Sequence, residues 1–343
     1  MKQAEWLKIC GLVLLIGILL VTGGCKFALG GIGSDTDDSG KNAKTDVVTT
    51  VTAGQTAAMR SPVPTTVAAD HLTFGIIYPM AHPFYEMITE YAKEAAAKEG
   101  VQLIVKAPDE ANLEQQIRMM ETLIKQKVDG IAIDPVDKFA LAPVIDKAIQ
   151  AGIPVICFES DSPKSRRLAY IGSDNRQAGE RMGKLLDGLL EGKGMVIMET
   201  GMSGMTSLGE RLDGLLNYLN RQTEIQVLEV RYNEGKEAAA LSNLEQMIEA
   251  HPHFDAFVAL DVMSGSASVL VWKASGLDRY ALTFGMMPEI QQAIDNGQIT
   301  AAVSQNEKQW GERIVTRLLE ATQGKSIPPF DDMGTTETPV DNG

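Results

Sequence analysis

The sequence predicts an α/β protein built from two doubly wound, parallel-sheet lobes, and three observations lead to this prediction. Short apolar runs alternate with amphipathic helical stretches, and the alternation occurs twice, over about 100 residues each time. Residues 151–154 (Ala-Gly-Ile-Pro) combine a helix stop, a turn and a strand start. Strand–helix alternation implies right-handed βαβ units and parallel sheets with helices on both faces.

The first run of alternation begins at residue 72. Helical spacing of apolar residues appears in 84–95 and again in 113–124, each time giving one apolar stripe opposite charged residues. Between and after these helices lie strand-like runs that begin at Leu72, Val101, Val128, Ile153 and Leu168.

The second run of alternation begins at a helix that either Ser173 or Asp174 can cap. Its strand-like runs begin at Gly194, Ile225, Asp255, Ala281 and Ile299. Ligands of such sheets bind outside the carboxyl ends of the strands, so two facing lobes are expected to form a ligand cleft.

Composition and charge exclude several classes of function. The chain has 343 residues and a formal net charge of −14, and residues 1–70 carry as many positive as negative groups. The negative charge therefore lies on the lobes, which argues against nucleic acid as a partner. Four histidines without a His-x-x-His or Cys-x-x-Cys pair predict no metal site. We expect no cofactor.

Residues 1–25 have the pattern of an export signal. Lys2 and Lys8 precede an apolar run over 9–21, which is short for a spanning helix. Small residues then lead to Cys25, a position that resembles the bacterial lipobox, although Thr22 stands where that motif usually has Leu. We therefore predict a lipoprotein signal peptide with Cys25 lipidated. A plain cleaved signal and an uncleaved anchor are the alternatives.

Residues 26–71 differ in composition from the rest of the chain. Gly, Ser, Thr, Ala and Asp dominate, without apolar periodicity. Such a segment cannot bury enough apolar surface to fold, so it is predicted to be a flexible tether between a membrane anchor and the lobes.

Motifs of enzymatic chemistry are missing from the sequence. There is no Gly-x-Ser-x-Gly elbow, no phosphate-binding Gly-x-x-x-x-Gly-Lys motif, and no Gly-x-Gly-x-x-Gly after a strand. Residues 201–204 are interpreted as a cleft loop, and Cys157 as a buried, inert thiol. The chain is not expected to be an enzyme.

Seven segments carry a resemblance to a known family. They occur in order over about 260 residues and include His-Pro-Phe-Tyr at 82–85 and Gly-Glu-Arg-Leu-Asp at 209–213. The seven segments are 74–100, 128–137, 151–161, 170–184, 209–215, 250–261 and 301–312. Together they resemble type I periplasmic-binding-protein-like solute receptors of the ribose/galactose-binding type. These are related to the sensor domains of Lac-type repressors, but an export signal stands where repressors have a DNA-binding motif.

This resemblance implies three crossings between the lobes, near Ser173, Gln305 and 331–333. Lobe 1 is then expected to comprise residues 72–172 plus 306–331. Lobe 2 is expected to comprise residues 173–305 plus 332–343.

The resemblance also implies a set of ligand-binding residues. A sugar cleft needs aromatic faces and planar polar groups. In this sequence the family's positions fall on His82, Phe84, Tyr85, Glu159, Arg211, Asp261 and Gln305. Phe84 could instead be a core residue of its helix, Arg211 a surface ion-pair partner and Gln305 a hinge residue. The family's Asp after Phe284 is replaced by Gly285, and an Arg is replaced by Ser160.

Two further features bear on the ligand. Glu159, Asp261 and Arg211 give the predicted site a net charge of −1, which favours a neutral polyol or a ligand with a positive group over an acidic sugar. Several methionines follow predicted strands on the cleft side, where they either fill gaps or form an adaptable, less polar surface; they are Met80, Met202, Met205, Met263, Met286 and Met287.

The predicted function is that of an extracytoplasmic solute-binding lipoprotein. It would be anchored by lipid at the outer face of the bacterial cell membrane, capture a sugar or sugar-like polyol between its lobes, and deliver it to an ABC permease. The alternative is a receptor that presents the bound solute to a histidine kinase or chemoreceptor.

Overall fold

A computed structural model describes residues 72–338 of the chain. The predicted signal 1–25 with its lipidation site Cys25, the predicted tether 26–71 and residues 339–343 lie outside the described residues. Within 72–338, twelve strands and nine α-helices form two sheets covered by helices. This architecture confirms the predicted fold class.

The first sheet belongs to lobe 1 and is entirely parallel. Its six strands are β1 (Thr73–Ile77), β2 (Gln102–Lys106), β3 (Gly130–Ile133), β4 (Val155–Phe158), β5 (Ala169–Gly172) and β11 (Phe330–Asp332). Their spatial order is β11-β5-β4-β3-β1-β2. The helices of this lobe are α1 (Pro83–Lys98), α2 (Leu113–Gln126), α3 (Ala142–Gln150) and α9 (Trp310–Thr322).

The second sheet repeats this plan in lobe 2. Its strands are β6 (Lys193–Thr200), β7 (Glu224–Tyr232), β8 (Ala256–Ala259), β9 (Tyr280–Phe284), β10 (Ala301–Ser304) and β12 (Thr336–Glu337), in the order β12-β10-β9-β8-β6-β7. All pairs are parallel except the last, β10 with β12. The helices are α4 (Asn175–Leu190), α5 (Thr206–Gln222), α6 (Glu237–Ala250), α7 (Val262–Ser275) and α8 (Pro288–Asp295).

The chain passes between the two sheets three times. It leaves the first sheet after β5, returns to that lobe after β10 to form α9 and β11, and then enters the second sheet again as β12. Asn306 stands beside two of these passages, because its side-chain amide donates to the backbone oxygen of Met333 at 2.7 Å.

Local sequence explains where the helices facing the cleft begin. Asp174, one of the two predicted caps, accepts a hydrogen bond from the backbone N–H of Gln177 at 3.0 Å. His82 and Asp261 cap α1 and α7 in the same way, each directly after a strand–loop passage. These caps fix the first turns of helices that point at the other lobe.

The core lies in the middle of each sheet. Every residue of β3, β4, β5 and β8 is buried, as expected for parallel strands covered by helices on both faces. Cys157 lies in β4 and is fully buried, and burial raises the pKa of its thiol, which fits the predicted inert role. Among residues 72–338, no helix is both long and apolar enough to span a bilayer.

Candidate functional site

The two lobes touch through the loops at the carboxyl ends of their strands. The backbone N–H of Lys138 donates to the carbonyl of Gly204 at 3.2 Å. The hydroxyl of Thr206 donates to the carbonyl of Asp161 at 2.7 Å, and the N–H of Ser207 donates to the hydroxyl of Ser160 at 3.3 Å. The structure is therefore that of the closed molecule.

Beneath these contacts lies a cavity of about 30 Å³. Both lobes contribute to its wall, which is formed by Met80, Phe84, Tyr85, Glu159, Gly201, Met202, Met205, Leu208, Arg211, Asp261, Val262, Phe284 and Gln305. Most of these residues follow the carboxyl end of a strand or lie in the first turns of the next helix, where α/β sheets bind ligands.

Six of the seven predicted site residues line this cavity, and His82 does not. His82 caps α1 instead, because its Nδ1 accepts from the N–H of Phe84 at 3.2 Å. Burial lowers the pKa of this imidazole, which favours the neutral form that can accept this bond. Ligand contact by any of the seven residues stays a prediction.

Phe84 and Tyr85 form the aromatic part of the wall that lobe 1 contributes, and Phe284 is the aromatic residue from lobe 2. The rings of Phe84 and Tyr85 meet edge to face with centroids 5.1 Å apart, and Phe84 also packs edge-on against Trp310 at 6.5 Å. Both interpretations of Phe84 therefore hold together: it is a buried helix residue, and one part of it faces the cavity.

Arg211 is fixed from several sides. Its Nη1 donates to the carbonyl of Leu260 at 2.5 Å, and its Nη2 donates to the side chain of Asn175 at 2.9 Å. The guanidinium lies 3.4 Å above the ring of Phe284. Such a buried guanidinium is not the surface ion-pair partner that the sequence left as an alternative.

Glu159 faces Arg211 across the cleft. One carboxylate oxygen lies 3.5 Å from Nη2 of Arg211, and the other accepts from the hydroxyl of Ser207 at 3.2 Å. Glu159 has a left-handed backbone with φ of 58°, which is uncommon for a residue with a side chain. Burial raises the pKa of this carboxyl, and the charge of Arg211 opposes the rise.

Asp261 is held by its own lobe. Its carboxylate accepts from the side-chain amide of Asn233 at 3.1 and 3.2 Å, from the N–H of Met263 at 3.1 Å, and from the hydroxyl of Ser264. These four bonds occupy the lone pairs that a carboxylate offers. The carboxylate of Asp261 therefore lines the cavity, but bonds within lobe 2 occupy its acceptor positions.

Asp134, which follows β3 and is completely buried, is not among the residues that the sequence predicts for the site. It accepts from the hydroxyl of Tyr85 at 3.0 Å, while its other oxygen has no partner among the described residues. Burial and the nearby charge of Glu159 raise its pKa well above the usual range, which favours the neutral acid. Its position at a strand end within segment 128–137 was the available signal.

Gln305 lies where the chain leaves β10, and its side chain faces the cavity. Its backbone oxygen accepts from the indole N–H of Trp310 at 3.0 Å. Within residues 72–338, no hydrogen bond occupies its side-chain amide, so one donor group and one acceptor are available to a ligand.

Thioethers form an additional part of the wall. Three of the six methionines noted in the sequence line the cavity, one from lobe 1 (Met80) and two from lobe 2 (Met202 and Met205). Gly201 and Met202 also belong to the predicted cleft loop, which the structure places at the cavity. In the described part of the chain, no three His, Cys, Asp or Glu side chains converge to hold a metal ion.

Comparison with known proteins gives the family. The model of the periplasmic binding protein domain matches residues 74–326. The ribose import binding protein of Bacillus subtilis is 23% identical over 258 residues, which cover 74% of this chain and 83% of that protein.

Solved structures agree with this match. An ABC transporter solute-binding protein of Burkholderia graminis in complex with D-arabinose is 31% identical, with a TM-score of 0.76 over 80% of this chain and 97% of that one. A glucose-galactose binding protein of Geobacillus stearothermophilus is 25% identical, with a TM-score of 0.73 over 78% and 96% of the two chains. The chain therefore belongs to the periplasmic binding protein domain family, with the type I architecture that the sequence predicted.

Proposed function

We propose that this protein captures a small sugar or sugar-like polyol between its lobes and delivers it to an ABC permease. One observation carries the proposal: an interlobe cavity is lined by three aromatic rings, a fixed guanidinium and a free carboxamide. Aromatic faces suit the apolar faces of a sugar ring, and planar polar groups suit its hydroxyls. Binding without chemistry is the activity that this arrangement supports.

The relatives support the same ligand class. One is named for ribose import, and one solved structure holds D-arabinose. Both pentoses are neutral monosaccharides.

The charges of the cavity argue for a neutral or positively charged ligand. Glu159 and Asp261 face a single guanidinium, Arg211, which gives the wall of the cavity a formal charge of −1. An acidic ligand would bring a further negative charge into a buried site, where such charges are costly.

Titration calorimetry on the purified chain tests this proposal. Neutral pentoses, hexoses, inositols and amino sugars would be compared with uronates and sugar phosphates. We expect at least one neutral or amino sugar to bind, and to raise the melting temperature, because a ligand at 100 times its dissociation constant stabilises by about 2.7 kcal/mol. Tighter binding of uronates or sugar phosphates would overturn the charge argument.

We further propose that the chain is a lipoprotein anchored through Cys25 at the outer face of the cell membrane. The apolar run and small residues before Cys25 support this. Metabolic labelling with a fatty-acid analogue should label the wild-type chain, and Cys25→Ser should abolish the label. A labelled Cys25→Ser chain, or an unlabelled wild type, would refute the anchor.

Deletion of the gene distinguishes transport from sensing, through its effects on ligand uptake and on the cellular response to the ligand. For delivery to a permease, deletion should abolish uptake of the radiolabelled ligand. If uptake persists and only a transcriptional or chemotactic response to the ligand is lost, the receptor alternative is correct.

A further inference from the structure

We propose that the bound sugar presents a hydroxyl-free carbon, a methylene or methyl group, to a methionine wall formed by Met80, Met202 and Met205. The protein is then selective for deoxy sugars over their fully hydroxylated parents. This inference rests on the proposed sugar-binding function and specifies the substrate class of the same cavity.

The methionine wall forms only when the lobes close. Met80 comes from the loop after β1, whereas Met202 and Met205 come from the loop after β6. The sulfurs of Met80 and Met202 converge on Gly235, where an added Cβ would lie 3.4 and 3.3 Å from them. All three methionines are buried and line the cavity, so both lobes contribute thioether side chains to its wall.

Leu208 and Val262 add aliphatic side chains to this wall, and both line the same cavity. Thioethers and aliphatic groups accept hydrogen bonds weakly or not at all, and they donate none. A ligand hydroxyl on this side would lose its bonds to water without gaining a partner.

Other residues of the wall carry the polar groups that can pair with hydroxyls. Asp261 already accepts four hydrogen bonds, and Arg211 uses both terminal nitrogens on Leu260, Asn175 and Glu159. Buried Nε of Arg211 has no partner among the described residues. Together with the Gln305 carboxamide, the Glu159 carboxylate and the Tyr85 hydroxyl, it can serve the oxygens of the ligand.

These two sides of the cavity determine the ligand class together. A fully hydroxylated pyranose carries polar groups around its whole ring, and at least one would meet the methionine wall. A deoxy sugar places its reduced carbon there and keeps its oxygens for Arg211 and Gln305.

Calorimetric titration of the full-length chain with matched sugar pairs tests this inference. The pairs are D-ribose with 2-deoxy-D-ribose, D-galactose with D-fucose, and D-glucose with 2-deoxy-D-glucose. We expect the deoxy member of at least one pair to bind about 10-fold more tightly or better, because the extra hydroxyl of its partner would lose its bonds to water against apolar side chains. If the hydroxylated member binds equally or more tightly in every pair, the inference fails while sugar capture stands; if no sugar binds, both fail.

Two variants test whether the preference for a deoxy sugar depends on the methionine wall or on any exchange of methionine for a polar residue. Met202→Gln replaces the thioether by an amide of similar length and should reduce the preference for the deoxy sugar at least about fivefold, because the amide pairs with a hydroxyl. Met119→Gln, a partly buried position in α2 outside the cavity, should leave the preference unchanged. A preference that survives Met202→Gln in full would overturn the role of the wall.

Discussion

Glu199 lies near the end of β6, two residues before the cavity loop, and is completely buried. One carboxyl oxygen accepts from the side chain of Asn243 at 2.9 Å, and the other has no partner within 72–338. Burial raises the pKa of Glu199 to about 8, from an ordinary value of 4.5. Lobe 2 thus folds around a carboxylic acid that prefers to be neutral.

This raised pKa predicts a stability that falls with pH. An acid whose pKa is higher in the folded state binds more protons there, so stability decreases as pH rises from 4.5 to about 8. The loss amounts to about 1.4 kcal/mol per pH unit within that window. Glu199→Gln, which stays uncharged, should therefore be more stable than the wild type at pH 8 and lose this advantage at pH 5.

Urea unfolding at pH 5, 6.5 and 8 measures this difference. Glu245→Gln in α6 is the control, because its exposed side chain should give the pH profile of the wild type. Parallel profiles for Glu199→Gln and the wild type would show that Glu199 is ionised in the folded chain.

At the residue scale, the sequence could predict which side chains meet but not how they are bonded. The resemblance of segments 74–100, 209–215 and 301–312 to a known family predicts Phe84, Tyr85, Arg211 and Gln305 as site residues, and all four line the cavity. The cap formed by His82 depends on a backbone geometry that no periodicity reveals.

One physical reason explains why three polar residues of the site could not be predicted from the sequence. Asp134, Asn175 and Asn233 act on other polar groups, through Tyr85, Arg211 and Asp261, by hydrogen bonds between positions far apart in sequence. A single sequence shows that a polar residue follows a strand, but the partner is set by tertiary packing.

At the scale of elements, the loop before α5 controls whether the lobes can meet. The carbonyl of Gly204 accepts from Lys138 in the other lobe. A Cβ added at Gly204 would lie 2.7 Å from the carbonyl oxygen of Val136 and 3.0 Å from the carboxylate of Asp137. The backbone of Val136 cannot move aside as the end of a flexible side chain could.

Gly204→Ala should therefore oppose closure without disturbing either lobe. Its ligand affinity is expected to fall about 10-fold or more, since the closed state is the one that the ligand stabilises. The free energy of unfolding in urea without ligand should change by less than about 1 kcal/mol.

Gly209→Ala is the matched control, because this residue lies in α5 and has open space around its Cβ position. Alanine is a better helix former than glycine by about 1 kcal/mol, so this variant should bind normally and unfold at a slightly higher urea concentration. Calorimetric titration of both variants with the same sugar gives the comparison. Equal affinities would mean that the loop contact does not limit closure.

Element prediction succeeded where apolar periodicity was long enough. The ten strands expected from apolar runs all form, and the capped helix after residue 173 begins with Asp174 as its cap. The sequence analysis placed a lobe crossing near 331–333 but no strands there. With three and two residues, β11 and β12 are too short for an alternating pattern and pair only at sheet edges.

At the scale of the whole molecule, the two similar lobes make binding and closure one event. Both sheets direct the carboxyl ends of their strands at the cleft, and the cavity exists only between them. A ligand that contacts both lobes stabilises the closed state. The stabilisation equals the difference between its binding free energies to the closed and the open state.

Capture of the sugar by closure of the two lobes is tested most directly by hydrogen exchange. The full-length chain would be measured with and without its tightest-binding neutral sugar. The N–H groups of Lys138 and Ser207 donate across the lobes, to Gly204 and Ser160, so their exchange should slow when the sugar is bound. The N–H of Asp255, bonded within lobe 2 at the far end of the sheet, serves as the reference and should change little. Sugar binding that leaves exchange at Lys138 and Ser207 unchanged would contradict capture by closure of the two lobes.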